Sequence, residues 1–203
     1  MDPVVKNLSD DANALYFTLE GVEMSFANAL RRIMLSEIPM VVIETDTYEN
    51  NKCNIIVNTG RLHNEIVKQR LSCIPIHTTH LRDTEDQKAL PGNYQLIVDV
   101  KNDTDNIIYV TTEDFRLRDK KTGTVLSSEE QEKLFPGLFP KNVQTQSYID
   151  FVRLRPKVGI EIDGEQLSLI ADFSVNIAKN SSMFNVVSKC AYGNTPDKDK
   201  AVT

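Results

Sequence analysis

The side chains best suited to do chemistry are Cys73, His77 and His80, spaced C-x3-H-x2-H around Pro75. A thiolate and two imidazoles are zinc ligands, and His63 could add a further nitrogen. One functional reading is therefore a small metal-dependent enzyme using Cys73, His77, His80 and His63. The spacing is loose, however, and His63-Asn64-Glu65 fits the H-x-E of zinc deaminases without the P-C-x-x-C that supplies their other ligands. The sequence has no Walker loop, no G-x-S-x-G and no H-E-x-x-H. No catalytic residue, metal or cofactor is assigned.

A different kind of chemistry is written in Met24–Pro39, which holds the arginine pair Arg31 and Arg32. The stretch predicts a short helix. Ser25 can cap its start, and Pro39 disfavours helix at Ile38 and ends it. Phe26, Ala29, Leu30, Ile33 and Met34 recur at helical spacing and make one apolar face, expected to pack on the chain's own sheet. At about 100° per residue, Ala27, Asn28, Arg31, Arg32 and Leu35 share the opposite face, with Leu35 between the two arginines. An exposed leucine is common on a surface helix. An apolar residue between two guanidinium groups is also what a protein–protein contact looks like. The pattern by itself leaves both readings open.

The elements around that helix predict a mixture of strands and short helices. Residues 14–19 and 41–48 read as strands on either side of it, making a compact strand–helix–strand unit. A polar break at 49–52 marks a domain boundary, followed by a strand at 53–57. A second helix runs over 61–71, with Thr59 as candidate cap and Pro75 as stop. Residues 78–92 read as a mobile polar loop. Strands at 94–100 and 107–111 are joined by Asn102-Asp103-Thr104-Asp105, a hairpin signal. Ser127 or Ser128 caps a short acidic helix to Lys133, closed by Pro136, Gly137 and Pro140. Strands follow at 148–154 and 158–162, with Gly164 as a turn. Leu167, Leu169, Ala171, Phe173, Val175 and Ile177 alternate without a break, predicting one long half-buried strand. Residues 187–192 read as a last strand.

Composition narrows the function. The 203 residues are 40% hydrophobic and 26% charged, with net charge −6, ordinary values for a soluble globular chain that can bury a substantial core. The acidic balance, the absence of tryptophan and the 7% aromatic content argue against a dedicated nucleic-acid binder, which needs a basic surface and stacking platforms. The basic runs Arg116, Arg118, Lys120, Lys121 and Arg153, Arg155, Lys157 read as solvated strand faces, with docking onto an acidic partner as the alternative. Three cysteines without paired spacing argue against a disulfide framework. No apolar run approaches the ~20 residues of a membrane span, and Met1–Lys6 does not begin a signal peptide. An intracellular chain that makes no membrane contact is expected.

The order Phe26-Ala27-Asn28-Ala29-Leu30-Arg31-Arg32-Ile33-Met34-Leu35-Ser36-Glu37-Ile38-Pro39 closely resembles the assembly helix of the α-subunit family of cellular RNA polymerases. That family comprises the bacterial α-subunit N-terminal region, the archaeal D subunit and the third-largest subunit of eukaryotic RNA polymerase II. A second phrase, Glu65 to Ile76, resembles the family's helix ending in Arg-Leu-x-x-Ile-Pro, where an inserted domain opens. Residues 111–115, 164–187 and 187–192 are similar to later family segments, so the resemblance runs in order from Leu15 to Tyr192.

The resemblance implies an α+β fold, a discontinuous assembly (dimerisation) domain of sheet plus helix at 1–48 and 186–203 with a mostly β inserted domain at 49–185. It implies a non-catalytic assembly subunit that pairs with a smaller α-like subunit, the pair forming a platform for the largest and second-largest polymerase subunits. It makes no direct sequence-specific nucleic-acid contact. The implied interface residues are Phe26, Ala27, Asn28, Leu30, Arg31, Arg32 and Leu35, with Glu65, Arg70 and Pro75 from the second phrase. Residence would be the nucleus for a cellular eukaryotic chain, and cytoplasm or virion for a prokaryotic or viral one. The family's zinc or iron–sulfur site, built from clustered cysteines in some members, is not carried over, because no C-x2-C occurs here. The family also carries a long helix after its return strand, whereas only Gly193–Thr203 follow here; the sequence is expected to be a fragment or to take that helix from elsewhere. An adaptor unrelated to transcription is the remaining alternative.

Overall fold

The alternation that begins at Leu167 makes the central strand of the largest sheet. In the computed structural model, which describes residues 2–11, 14–78, 90–159 and 161–196, Leu167, Leu169, Ala171 and Phe173 are all buried. Gln166–Asp172 is flanked on both sides by antiparallel neighbours. With the strands numbered in chain order, the sheet runs β4 (Cys53–Asn58), β9 (Gln166–Asp172), β5 (Tyr94–Lys101), β7 (Arg116–Asp119). The predicted strand does not run on unbroken to Ile177. It stops at Phe173, and β10 (Ser174–Asn176) pairs instead with β3 (Met40–Val42). With a single neighbouring strand among the described residues, Val175 stays 46% exposed.

The expected hairpin at 102–105 is not formed. β5 pairs with β9 and β7, while β6 (Ile108–Thr111) pairs with β8 (Asp150–Leu154). The buried Asn102 explains the turn from one sheet into the other. Its Nδ2 donates to the carbonyls of Asn106 (2.8 Å) and Leu154 (3.0 Å), and its Oδ1 accepts from Thr104 N at 3.0 Å. A polar side chain so enclosed is tolerated only because both ends of the amide are bonded. Gly164 lies so close that a Cβ would come 1.7 Å from the Asn102 carbonyl oxygen, so glycine is required there for close approach. The neighbouring Glu165 is also buried, and its carboxylate accepts from Arg155 N and Nε.

Between the sheets lies one apolar core. Phe115 sits at its middle, edge-on to Phe139 at 5.3 Å and Phe151 at 5.4 Å between ring centroids, a favoured aromatic geometry. The acidic helix α3 (Ser128–Leu134) starts with the expected capping box, Ser127 Oγ accepting from Glu130 N and Glu130 accepting from Ser127 N. Three members of the first basic run are tied within the chain. Arg118 donates to Gln95, Lys120 pairs with Asp172 at 2.8 Å, and Arg116 donates to the Glu113 and Phe115 carbonyls. Burial raises the Asp172 pKa, but hydrogen bonds from Lys120 and Gln95 and the nearby lysine charges outweigh it and hold the carboxyl below its usual range.

Four further expectations need correction. β3 ends at Val42 instead of running to Tyr48, because Thr45 turns its hydroxyl onto the Lys68 carbonyl and the Ser72 hydroxyl of the next helix. Residues 158–162 make only an isolated bridge between Val158 and Ile162. Residues 187–192 form no strand; a 3-10 turn at Ser182–Phe184 precedes them, and they pair with no strand among the described residues. The expected loop at 78–92 falls largely outside the described residues, and its last part, from Leu90, is helical with Leu90 fully buried.

The described residues fall into two compact units, Pro39–Asn176 and the two flanking stretches together. The core just described belongs to the middle unit. The flanking unit contains β1 (Val4–Asp11) paired antiparallel with β2 (Ala14–Glu20), and the helix α1 (Met24–Ser36). β1 has too few apolar residues to be read from the sequence, and its pairing with β2 is what makes it a strand. Among the described residues of this unit only Phe184 is buried. The whole is a mixed α and β protein of small antiparallel sheets.

Candidate partner interface

α1 carries the first group of candidate residues. Its N-cap is Glu23, not Ser25, and no side chain caps it. Ser25 lies inside the first turn, its hydroxyl donating to Glu23 Oε2 at 3.3 Å, while the Glu23 carbonyl accepts from Phe26 N and Ala27 N. The helix ends as expected before Pro39, with Glu37 N donating to Ile33 O at 2.9 Å.

The faces of α1 are not arranged as expected. No residue of the helix is buried. Phe26 is 42% and Ile33 45% exposed, and Ala29 is exposed between them, so this face is not packed on the chain's own sheet. Leu30 and Met34 are half-buried. On the other side Ala27, Asn28, Arg31 and Leu35 are half-buried and Arg32 is exposed. Heptad-like spacing shows that a face is apolar; it cannot tell the chain's own sheet from another chain.

Arg31 is held in place. Its Nε and Nη2 donate to Asn28 Oδ1 at 3.1 and 3.0 Å. Such a forked contact along i, i+3 fixes the guanidinium plane before any partner arrives, which lowers the entropy cost of binding. The same unit exposes Val5, Leu15, Tyr16 and Phe17 on the β1–β2 ribbon. Together these features offer a large apolar surface and an oriented cation, which suits a protein contact and no bond-making chemistry.

The second group lies on the middle unit. α2 (Asn64–Ser72) is capped by His63 through its backbone, and Thr59 does not cap it. Thr59 Oγ1 accepts instead from Gln166 N at 2.8 Å. Glu65 and Pro75 are exposed, as are Gln69, Cys73 and His77, while Val67, Leu71, Ile74 and Ile76 are buried. Arg70 is exposed too and lies along the surface, its Nε donating to Phe151 O at 2.7 Å and its Nη2 to Asp150 O at 3.0 Å. Its role within the chain could not be read from the sequence, because its acceptors are backbone carbonyls some 80 residues away.

Of the candidate zinc ligands His63, Cys73 and His77 are described, and all three are exposed. His80 lies outside the described residues, and no group of three or more His, Cys, Asp or Glu among the described residues could hold a metal. Cys73 is exposed and Cys53 is buried, both as free thiols. Burial pushes the Cys53 pKa up to about 11, against a smaller opposing effect of the Lys68 charge. At pH 8 Cys53 is therefore a shielded neutral thiol, and only thiolate reacts. Disulfide-exchange labelling of the native chain should modify Cys73 first and leave Cys53 unmodified until denaturant is added. Peptide mass spectrometry of the labelled sites checks this, and early labelling of Cys53 would contradict the burial.

Comparison with known proteins adds an independent observation. A family model for the RNA polymerase Rpb3/Rpb11 dimerisation domain matches residues 16–196. The chain is similar to the DNA-directed RNA polymerases I and III subunit rpac1 of Dictyostelium discoideum, 31% identical over 169 residues, which are 76% of this chain and 44% of that protein. It is similar to the DNA-directed RNA polymerase subunit Rpo3 of Pyrococcus horikoshii, 33% identical over 106 residues, 52% of this chain and 38% of that one. A third relative is subunit 3 of the DNA-directed RNA polymerases II, IV and V of Arabidopsis thaliana, 34% identical over 94 residues, 45% and 27% of the two chains. The matched stretches span less than half the length of these relatives.

Proposed function

The chain belongs to the RNA polymerase Rpb3/Rpb11 dimerisation-domain family, and from that membership we propose that it is a non-catalytic assembly subunit of a multisubunit DNA-directed RNA polymerase. It pairs through α1 with a smaller α-like subunit, and the pair is the platform for the second-largest and largest subunits. The assembly domain, expected at 1–48 and 186–203, takes in most of the flanking unit, and the inserted domain, expected at 49–185, most of the middle unit. Phe26, Ala27, Asn28, Leu30, Arg31, Arg32 and Leu35 form the pairing and docking surface. Glu65 and Pro75 add a second contact for a large subunit, with Arg70 beside them. No helix among the described residues is long and apolar enough to cross a membrane, and the proposed work takes place inside the cell, in the nucleus of a eukaryote.

One observation carries this reading. Among the described residues the flanking unit buries only Phe184, yet exposes Val5, Leu15, Tyr16, Phe17, Phe26 and Ile33. A unit that buries so little apolar surface of its own gains stability when its exposed apolar surface is covered. A family defined by dimerisation supplies the kind of cover, a second chain of related fold.

The test is a mild affinity purification of the chain from its native source with mass spectrometry of the accompanying proteins. Two very large subunits and one small α-like chain are expected in near-equal amounts. Recovery of the chain alone would overturn the reading.

A further inference from the structure

The flanking unit is made of two stretches, 1–38 and 177–203, that the whole of Pro39–Asn176 separates along the chain. Its main elements are of kinds that do not persist alone. α1 has 13 residues, no side-chain cap, no acidic residue in its first turn and no basic one in its last. Isolated helices of about that length are marginal in water even in alanine-rich sequences. β1 and β2 make a two-stranded ribbon, and such a ribbon is marginal without a third strand or a helix against it. The two stretches are joined by the bond from Lys179 N to Ser36 O, 2.9 Å. Closing a loop of roughly 140 residues from an open chain to make that contact is disfavoured on the order of a thousandfold.

The middle unit removes that cost. Among the described residues the whole apolar core lies between Val41 and Phe173, so this unit has what it needs to fold without the flanking stretches. Its first strand, β3, and its last, β10, are antiparallel partners, Met40 opposite Asn176, Val41 opposite Val175 and Val42 opposite Ser174. Val41 and Ile43 on one side and Phe173 on the other are buried and pin this ladder to the core. Asn176 Nδ2 also donates to Glu44 Oε1 at 3.1 Å. Residues opposite one another in such a ladder lie about 5 Å apart. The chain therefore enters the middle unit and leaves it at adjacent positions, and the end of one flanking stretch lies beside the start of the other.

We propose that the β3–β10 ladder is a folding seat: the flanking unit, and with it the exposed face of α1, forms only on a middle unit that has already folded, whereas the middle unit needs nothing from the flanking unit. The dependence runs one way. α1 is synthesised early and becomes a helix late, after β10 has closed the ladder, so a chain with an incomplete middle unit does not present α1 as a folded surface. The seat is independent of the assembly role argued above.

Hydrogen exchange of the full chain, read by peptide mass spectrometry, tests the direction with three variants. Val175 stands in the ladder but is 46% exposed, so Val175→Pro opens the ladder without emptying the core, proline being unable to continue a paired strand. Val175→Thr keeps a β-branched strand former at the same place. Ala29 is exposed within α1, and Ala29→Pro breaks that helix. In the parent, α1, β1 and β2 should be protected yet exchange faster than β5 and β9. Val175→Pro should speed exchange in α1, β1 and β2 by roughly tenfold or more, the mark of a lost local fold, while β5 and β9 keep the parent's rates. Val175→Thr should match the parent throughout. Ala29→Pro should speed exchange in α1 and leave β3, β10, β5 and β9 unchanged.

Parental protection of α1 in Val175→Pro would overturn the proposal, and so would an equal loss with Val175→Thr, which would trace the effect to the side chain. Loss of protection in β3 or β9 with Ala29→Pro, or in β5 and β9 with Val175→Pro, would make the chain one cooperative body and overturn it as well. An α1 already unprotected in the parent would show that adjacent ends are not enough to form the flanking unit.

Discussion

Replacing Phe26 and Ile33 together by aspartate is expected to abolish pairing with the α-like partner while leaving the fold of the chain intact. Both side chains are more than two-fifths exposed on the same face of α1. Fully burying a large apolar side chain contributes about 1.5–3 kcal/mol, so covering the exposed two-fifths of both contributes roughly 1–3 kcal/mol. Placing carboxylates in a dry interface adds a desolvation cost. The combined effect is a loss of well over ~100-fold in affinity. Within the chain the cost is small, because no residue of α1 is buried and the helix propensities of Phe, Ile and Asp are close. Co-expression with the α-like partner, followed by size-exclusion chromatography and circular dichroism, reads both halves of the expectation. A heterodimer that survives would place the pairing surface elsewhere. A collapse of helical signal would mean that this face is internal after all.

What the sequence made legible follows from the range of each interaction. The start of α3 was readable because Ser127 and Glu130 bond each other across a single turn. The core-facing alternation of Leu167, Leu169 and Ala171 was readable because period-two burial is local. Asn102 was recognisable as a turn residue, but its choice between a hairpin and a corner depends on the Leu154 carbonyl, 52 residues away. Thr59 and Ser25 have the right chemistry for caps, yet Thr59 is taken by Gln166, and the helix starts one residue before Ser25.

The site divides in the same way. The apolar face of α1 was plain from spacing, while its exposure was not, since burial in a partner and burial in the chain select the same residues. Arg70 was picked out by resemblance, and only the folded chain shows that it reaches β8. The histidine and cysteine cluster, to which the sequence assigned no metal, depends on convergence of side chains; Cys73 and His77 are both exposed, and His80 lies outside the described residues.

Arg31→Ala is the second substitution expected to have a large effect, and its reason differs from that of Phe26 and Ile33. Arg31 is held by Asn28 through Nε and Nη2, so its guanidinium is oriented in the free chain and little rotamer entropy is lost when a partner binds. Removing a charged, hydrogen-bonded group from a dry interface costs about 2–5 kcal/mol, largely because the partner's groups are left unpaired. That corresponds to a roughly 30- to 5,000-fold loss of assembly. Arg31→Lys should recover little of it, because lysine cannot share a single amide oxygen through two parallel N–H groups. Asn28→Ala should give a smaller loss, since the cation remains and only its orientation is released. Helicity should stay the same or rise in Arg31→Ala, alanine being the better helix former. The ordering Ala at 31 worst, Lys at 31 next and Ala at 28 mildest, measured as recovered large subunit per unit of chain, separates an oriented cation from a simple positive charge. Equal recovery with lysine and arginine would leave only the charge.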